Sequence, residues 1–396
     1  MPLSRSMLVN LMGLAVCLLV AVTVIGLVEL WPRGNLHSTA AFATTHTDEA
    51  VVDDVQLVKC VQPGAHNCRR VDITLLGGKR AGRKTVFTVV GQVTVLALHK
   101  GDHIRVYANN FPKGAVAAPG QKADEYSFSD FDRRMPMLWL AIGFVGLLLL
   151  TGRFHGLRAL AGLVASLLVV VKFVIPAILH GRHPVEVAVI GAFAVMLLTM
   201  PLSYGLGAKM IAALLGTALS LLVAAGLADA FAGIAHLSGA SSDVTLYLAA
   251  TQSTISLRGL LVAGMVIGAL GVLVDLTVSQ SSTVMALRRA NPQLGFGRLF
   301  SSALDVGHDH ISATVNTLVF AYAGATLPVL LIFTIGHTSF ADAINGEAVA
   351  EEVIAALIGS VGLIVSMPLT TALAALLAGR MSPQALAADH GHVHAH

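Results

Sequence analysis

Charge is scarce in this chain. Lys, Arg, Asp and Glu make up 12% of its 396 residues, whereas hydrophobic residues make up 55% and the mean hydropathy is +0.78. Because soluble domains carry about 25% charged residues, this shortage excludes a soluble globular protein. The long apolar runs indicate an integral membrane protein with several spans, whose first partner is the lipid bilayer. Basic patches interleaved with aromatics are also missing, so we expect no nucleic-acid partner.

The motifs of the common enzyme classes are missing too. No GxSxG, HExxH, phosphate-binding loop or dinucleotide fingerprint occurs in a context that would support it. No nucleophile–base pair stands out either. We therefore expect a protein that is not an enzyme and that has no cofactor, apart from a weakly held divalent metal considered below.

Apolar runs dominate the chain outside one polar segment. Residues 7–28, behind Arg5, predict a membrane anchor. The run is too long and uniform for a signal-peptide core, and the small-residue sequence 41–43, which resembles a cleavage site, lies well past it. We therefore expect the anchor to be retained. Four parts are predicted: an anchor at 1–32, an extracytoplasmic β-domain at 33–134, a transmembrane domain at 135–380 and a His-rich tail at 381–396.

The transmembrane domain is predicted to hold seven further spans. They lie at about residues 137–151, 157–176, 185–203, 209–231, 258–281, 313–336 and 353–378. The fold class is therefore an all-α polytopic bundle of about eight transmembrane helices. A small β-domain separates the first span from the second.

The polar segment predicts short strands. β-rich runs occur at residues 51–59, 70–76, 85–90, 93–98 and 103–107, with Gly-rich turns between them. Five short strands indicate a small barrel or sandwich, OB-like in its proportions. Cys60 and Cys68 lie in this segment. A disulfide is predicted if the domain lies outside the cytoplasm; a metal pair or free thiols remain the alternatives.

Basic residues are distributed unevenly around the spans. With a cytoplasmic N-terminus, the cytoplasmic segments hold Arg5, Arg153, Arg158, Lys209, Arg288, Arg289, Arg298 and Arg380. Arg133, Arg134 and Arg258 oppose this orientation, but the balance predicts that both termini are cytoplasmic. The β-domain then lies outside, which favours the disulfide. The Ser/Thr-rich residues 237–256 predict a short surface helix, a re-entrant segment or a plain polar loop.

One predicted span has an unusual face. Gly264, Gly268, Gly271, Asp275, Ser279 and Ser282 follow one another at steps of three or four, so they form one helical stripe. Small residues let a neighbouring helix approach closely. We therefore predict that the three glycines mediate helix packing and that the stripe faces the bundle interior. The same packing role is predicted for small residues of two other spans: Ala213, Gly216, Ser220, Gly359, Gly362, Ser366 and Thr370.

The carboxylate on this stripe predicts a functional site, because an ionisable residue within a membrane helix is costly. The topology places Asp275 and Ser279 near the cytoplasmic face, at the level of Asn316. Asp305 and Asp309 lie just below, in a predicted hinge at the end of an amphipathic helix over residues 295–313. Carboxylate and amide oxygens suit a hard cation or a proton path. The structural alternative is that Asp275 locks helix packing as a partner of Arg288, Lys209 or Asn316.

Histidines supply weak metal-site candidates. His308 and His310 flank Asp309 in the predicted hinge, although a solvated turn with a helix N-cap explains them equally simply. Alternating histidines also close the chain, at His390, His392, His394 and His396. Such a tail binds transition metals readily, and the alternative is a tail without a physiological role.

Several long stretches resemble the YibE/F-like family of bacterial multispanning membrane proteins. They are residues 100–107 (KGDHIRVY), 152–160 (GRFHGLRAL), 256–282 (SLRGLLVAGMVIGALGVLVDLTVSQSS) and 290–328 (ANPQLGFGRLFSSALDVGHDHISATVNTLVFAYAGATLP). The resemblance extends over the β-domain and all later spans. It implies one anchor, an external β-domain and a seven-helix bundle in the bacterial cytoplasmic membrane, and it implies no activity. Where the family's DxGxD pattern has a basic residue before its second Asp, this chain has His308, which is charged only near or below pH 6.5.

Two functions from different classes fit these patterns. The first is a secondary transporter or permease for a small solute or ion, using the intramembrane Asp/Asn site near the cytoplasmic face. The alternative is a non-transporting membrane assembly or envelope factor, whose external domain binds a protein partner.

Overall fold

A computed structural model describes residues 5–34, 47–60, 68–78, 80–89, 98–109, 125–252 and 254–381. The chain divides into two compact units. One comprises residues 1–36 and 149–396, and the other comprises residues 37–148. The His-rich tail predicted at residues 381–396 lies outside the described residues from residue 382 onward.

The smaller unit contains an antiparallel sheet. Its strands are β1 (Thr47–Val58), β2 (Cys68–Leu75), β3 (Lys84–Val89), β4 (His103–Ala108) and β5 (Tyr126–Phe131). They are ordered β3-β2-β1-β4-β5 and curl into a half-barrel, so the predicted barrel is present in open form. The strand predicted at 93–98 falls almost entirely outside the described residues, and β5 was not predicted. Alternate side chains of β2 fill the core, which includes Ile73, Phe87 and Tyr126.

The disulfide prediction is confirmed, because Cys60 and Cys68 are joined by an S–S bond. At the end of β5, Asp132 accepts hydrogen bonds from Arg134, and Arg134 also donates to Glu49 of β1 at 2.9 Å. These hydrogen bonds from the guanidinium lower the pKa of Asp132 from 3.8 to about 2. They tie the chain to the sheet at the point where the next helix begins.

Ten helices are described in the chain. They are α1 (Arg5–Leu30), α2 (Arg134–Val169), α3 (Ile175–Leu179), α4 (Pro184–Tyr204), α5 (Ala208–Ile234), α6 (Asp243–Thr251), α7 (Leu257–Ala290), α8 (Phe296–Ile335), α9 (Phe340–Asn345) and α10 (Glu347–Ala378). A single π-helical turn, Val170–Val174, joins α2 to α3. The short α6 begins at a capping box on Ser242, so the Ser/Thr-rich segment does contain a short helix.

Seven helices in the described part of the chain are long and apolar enough to cross a membrane. One of them, Arg134–Leu179, has 46 residues and contains both spans predicted at 137–151 and 157–176. At about 1.5 Å per residue it is roughly 69 Å long, about twice the apolar thickness of a bilayer. Its backbone leaves the helical conformation at Arg153, where φ is 45°. That break falls between the two predicted spans.

Small residues bring α5, α7 and α10 close together. A Cβ added at Gly216 would overlap the Thr370 side chain, and one at Gly362 would contact Ala224 and Leu273 at 3.5 Å. Between α5 and α7, the hydroxyls of Thr217 and Thr277 hydrogen-bond at 2.7 Å. The packing role predicted for the small residues of α5 and α10 is therefore confirmed at these contacts.

A glycine-to-alanine pair within α5 tests this packing. Gly216→Ala is expected to destabilise the chain by about 1–3 kcal/mol, because the new methyl overlaps Thr370 of α10. Gly226→Ala is the matched control, since its Cβ would meet no described atom within 4 Å. It should gain up to about 1 kcal/mol from helix propensity. Thermal unfolding in detergent should separate the two variants in opposite directions; equal midpoints would contradict the packing described.

Candidate functional site

The glycine stripe of α7 is open, which corrects the packing prediction made for it. Gly264, Gly268 and Gly271 are all exposed, and a Cβ added at Gly264 or Gly271 would meet nothing within 4 Å among the described residues. The bundle is filled by larger side chains on the other faces of α7, including Leu273, which is fully buried. Because those residues already occupy the space between α5 and α10, the glycines are left on the free face.

Helix α8 runs along the edge of this free face. The Tyr322 hydroxyl would lie 3.5 Å from a Cβ at Gly268. About two turns further along, Nε2 of His310 lies 4.0 Å from Oδ2 of Asp275. We call the surface formed by Gly264, Gly268, Gly271 and Asp275, with its α8 edge, the glycine groove. From residue 264 to residue 275 it extends roughly 16 Å along the helix.

Asp275 and His310 form an open carboxylate–imidazole pair at one end of the groove. The Asp275 side chain is 74% exposed in the single chain, and that of His310 is 41% exposed. The Nε2 atom of His310 is buried and has no hydrogen-bond partner within the described structure. A shift of about 1 Å would bring the pair to hydrogen-bonding distance. The exposed carboxylate can therefore attract a cation to this end of the groove.

In the structural alternative for Asp275, its predicted partner is Arg288, Lys209 or Asn316. The structure gives Arg288 a different hydrogen-bond partner. Nη1 of Arg288 donates to the carbonyl of Leu294 at 2.5 Å, which closes the turn after α7. Lys209 lies against the ring of Tyr204, with its Nζ 5.7 Å from the ring centroid. The structure places His310 beside Asp275, and Tyr204 also lies close enough to Asp275 to interact with its charge.

The structure does not gather the predicted polar cluster. Helix α8 is continuous through residues 305–310, so the hinge predicted there is wrong. Asp305, Asp309 and Asn316 are spaced four and seven residues apart, so they share one exposed face of α8. That face lies nearly opposite the buried one, which carries Ala303 and Gly307. An unbroken helix therefore turns the three predicted residues away from the packed side and brings His310 toward Asp275.

Ser279 continues the stripe beyond Asp275 and is half-buried, and its carbonyl accepts from the Thr283 hydroxyl at 3.0 Å. His308 is exposed on α8. No group of three or more His, Cys, Asp or Glu side chains that could hold a metal ion occurs in the described part of the chain. The weak metal prediction therefore gains no ligand set at His308 and His310. The four tail histidines lie outside the described residues.

A buried amide that the sequence analysis missed holds α8 in place. Gln280 of α7 is 2% exposed, and its Nε2 donates to the Ala303 carbonyl of α8 at 2.7 Å and to the Thr371 hydroxyl of α10 at 2.8 Å. Gly307 makes this approach possible, since a Cβ there would overlap Met367 and the Gln280 amide. A lone amide in an apolar span was the available signal. Gln280 thus positions the helix that carries His310.

A bundle of long apolar helices with buried interhelical hydrogen bonds defines a polytopic membrane protein. Within that class the chain belongs to the YibE/F-like family, whose model matches residues 140–380. The match covers most of α2 and all later helices, including the glycine groove and Gln280, and it leaves out α1 and the sheet. No curated protein and no solved structure matches the chain.

Proposed function

We propose that this protein is a secondary permease that moves a small ion or solute along the glycine groove. The observation that carries the proposal is the open stripe of Gly264, Gly268 and Gly271, which leads to the Asp275–His310 pair. Glycines that no helix covers leave room for a moving species. A carboxylate beside an imidazole at membrane depth is the kind of group that couples movement to protons or cations.

The distribution of basic residues supports a bacterial cytoplasmic membrane location with both termini in the cytoplasm. In that orientation the Asp275–His310 end of the groove opens toward the cytoplasm. A cation that enters the groove would be attracted to the Asp275 carboxylate at this end.

The permease proposal is tested by comparing the metabolite and metal content of three strains with wild type. One strain lacks the protein, one carries Asp275→Asn, and one carries Asp309→Asn. Asp275→Asn is expected to reproduce the content shift of the deletion, because the titratable group is lost. Asp309→Asn should match wild type, because Asp309 lies on the far face of α8.

Protein abundance is measured in all strains, so that a loss of function is not a loss of protein. A deletion that changes no ion or metabolite would refute the permease. So would an Asp275→Asn strain with wild-type content, because the groove would then work without its carboxylate.

The second candidate is the assembly or envelope factor acting through the external domain. The specific observation in its favour is that residues 37–148 form a compact unit of their own, with a disulfide between Cys60 and Cys68. A chain lacking residues 40–130 separates the two candidates. The assembly factor predicts complete loss of function, whereas the permease predicts that transport persists.

A further inference from the structure

A cavity of about 400 Å³ lies at the other end of the glycine groove. Gly264 and Tyr322 line both the cavity and the groove. The remaining walls come from the first turns of α7 and α10, from the start of α6 and from the loop before α6. One side is apolar, built from leucine and methionine side chains of α7, and the other carries Ser241, Thr245, Glu351 and Glu352. The size and the mixed lining are those of small-molecule sites.

Three carboxylates lie within the first two turns of α10, and they are not equivalent. Oε1 of Glu347 accepts three hydrogen bonds, from the backbone N–H and hydroxyl of Ser238 and from the N–H of Gly239. Glu347 therefore connects the start of α10 to the loop after α5 through hydrogen bonds. Glu351 is only 8% exposed; its Oε2 accepts from the Ser241 hydroxyl at 2.6 Å. Its Oε1 is buried without a hydrogen bond to the described residues, and its carboxyl lies close enough to that of Glu347 to interact with it.

No cation compensates these charges in the described structure. No Lys, Arg or His nitrogen lies within 4.0 Å of Glu347, Glu351 or Glu352 among the ion pairs of the described residues. Arg258, at the start of α7, is engaged by Asp229, whose backbone carbonyl it meets at 2.9 Å and whose carboxylate it meets at 3.3 Å. A buried carboxyl without such a cation is either protonated or bound by a positive partner from outside the chain.

The chemistry of the cavity selects the kind of cation. The described residues offer no set of three metal-ligating side chains here, so the lining does not suit a transition metal or a fully dehydrated Ca²⁺. It does combine acidic oxygens, hydroxyls and a tyrosine with an apolar wall. Carboxylates and an aromatic ring bind an ammonium group, and the apolar wall accepts a hydrocarbon body.

We infer that this cavity binds the ammonium group of an organic amine, held by Glu351 and Glu352 beside Tyr322, with its apolar part against α7. The ammonium can belong to a free amine or to an aminolipid headgroup. That the amine is the cargo of the groove rests on the proposed permease, whereas the binding itself does not.

The test uses the full chain in nanodiscs of phosphatidylglycerol and ligand-observed saturation-transfer NMR. The probes are butylammonium, butyrate and 1-butanol, which are similar in size and differ in charge. We expect a saturable signal for butylammonium alone. Glu351→Gln and Glu352→Gln should each weaken its binding about tenfold or more. Glu186→Gln is the matched control, because Glu186 is an exposed carboxylate in the first turn of α4 that does not line the cavity.

A second arm repeats the titration in nanodiscs that contain phosphatidylethanolamine. A weaker butylammonium signal there identifies the aminolipid headgroup as a competitor, and an unchanged signal identifies a free amine. Equal signals for butylammonium and butanol would overturn the inference. Wild-type affinity for butylammonium in Glu352→Gln would overturn it as well. This variant keeps the buried Glu351 intact, so it tests the site even if Glu351→Gln does not fold. Amine binding without a change of cellular content would refute the permease alone, and a change of content without amine binding would refute this inference alone.

Discussion

If the proposed permease function holds, Gly268→Leu is expected to give a folded protein that no longer transports. The new side chain would enter the open space beside Tyr322, where a Cβ meets only the tyrosine hydroxyl at 3.5 Å. Leucine is also a better helix former than glycine, so thermal stability should hold or rise by up to about 1 kcal/mol. A strain carrying Gly268→Leu should nevertheless show the ion or metabolite content of the deletion strain, because the groove is filled.

The helix-packing role that the sequence predicts for Gly268 leads to the opposite expected outcome. If Gly268 packed against a helix, leucine would overpack the contact and lower stability by about 1–3 kcal/mol. Gly216→Leu supplies that reference, since Gly216 does pack against Thr370. A Gly268→Leu protein that unfolds as readily as Gly216→Leu would contradict an open groove. One that folds and keeps wild-type cellular content would show that the groove is not the path.

Gln280→Leu is expected to loosen α8 from the bundle. Leucine has a volume similar to that of glutamine but lacks the amide nitrogen that donates to the Ala303 carbonyl and the Thr371 hydroxyl. Leaving buried acceptors unpaired costs about 1–3 kcal/mol. Hydrogen exchange should accelerate in the first half of α8 before it changes in α5. Transport should fall as well, because His310 is carried by the loosened helix.

Gly307→Ala extends this test to the other side of the same contact. Its methyl would overlap Met367 and the Gln280 amide, so it should destabilise on its own. Combined with Gln280→Leu the effects should not add, since both act on one contact. Gly324→Ala is the control within α8, because its Cβ would meet nothing within 4 Å in the part of the chain that the structure describes. Additive effects of the first two substitutions would mean that Gln280 and Gly307 do not share a contact.

The sequence predicts the helical class, the β-domain, the disulfide and the family, because hydropathy, composition and long motifs report them directly. The sequence does not predict which face of α7 is buried. Small residues predict close helix packing, but the same glycines can line an open surface, and only the leucines on the other faces decide between the two. Gly216 and Gly268 carry the same local signal and differ in what the neighbouring helices do.

The site was predictable in part, for a related reason. A lone membrane carboxylate draws attention to Asp275, and the polar motif after it lies on the helix whose His310 the structure places beside Asp275. The prediction that Asp305 and Asp309 lie near Asp275 depends on a hinge at residues 305–310, which α8 does not have. Once α8 continues through them, the 3.6-residue repeat points Asp305 and Asp309 away and leaves His310 as the partner. A lone amide marks Gln280, but its partners and those of the α10 carboxylates lie on distant segments, and no local pattern reports those contacts.

Whether the glycine groove is filled with water is the most direct test of this account. Single cysteines at Gly264, Gly268 and Gly271, in a Cys17→Ser background, are exposed in native membranes to a water-soluble methanethiosulfonate, which reacts with thiolates in water. Ala269→Cys is the buried control, and Leu222→Cys, which is 50% exposed on α5, is the lipid-facing control. The groove predicts fast labelling at all three glycine positions and slow labelling at both controls. Labelling of the three glycine positions as slow as that of Leu222→Cys would contradict it.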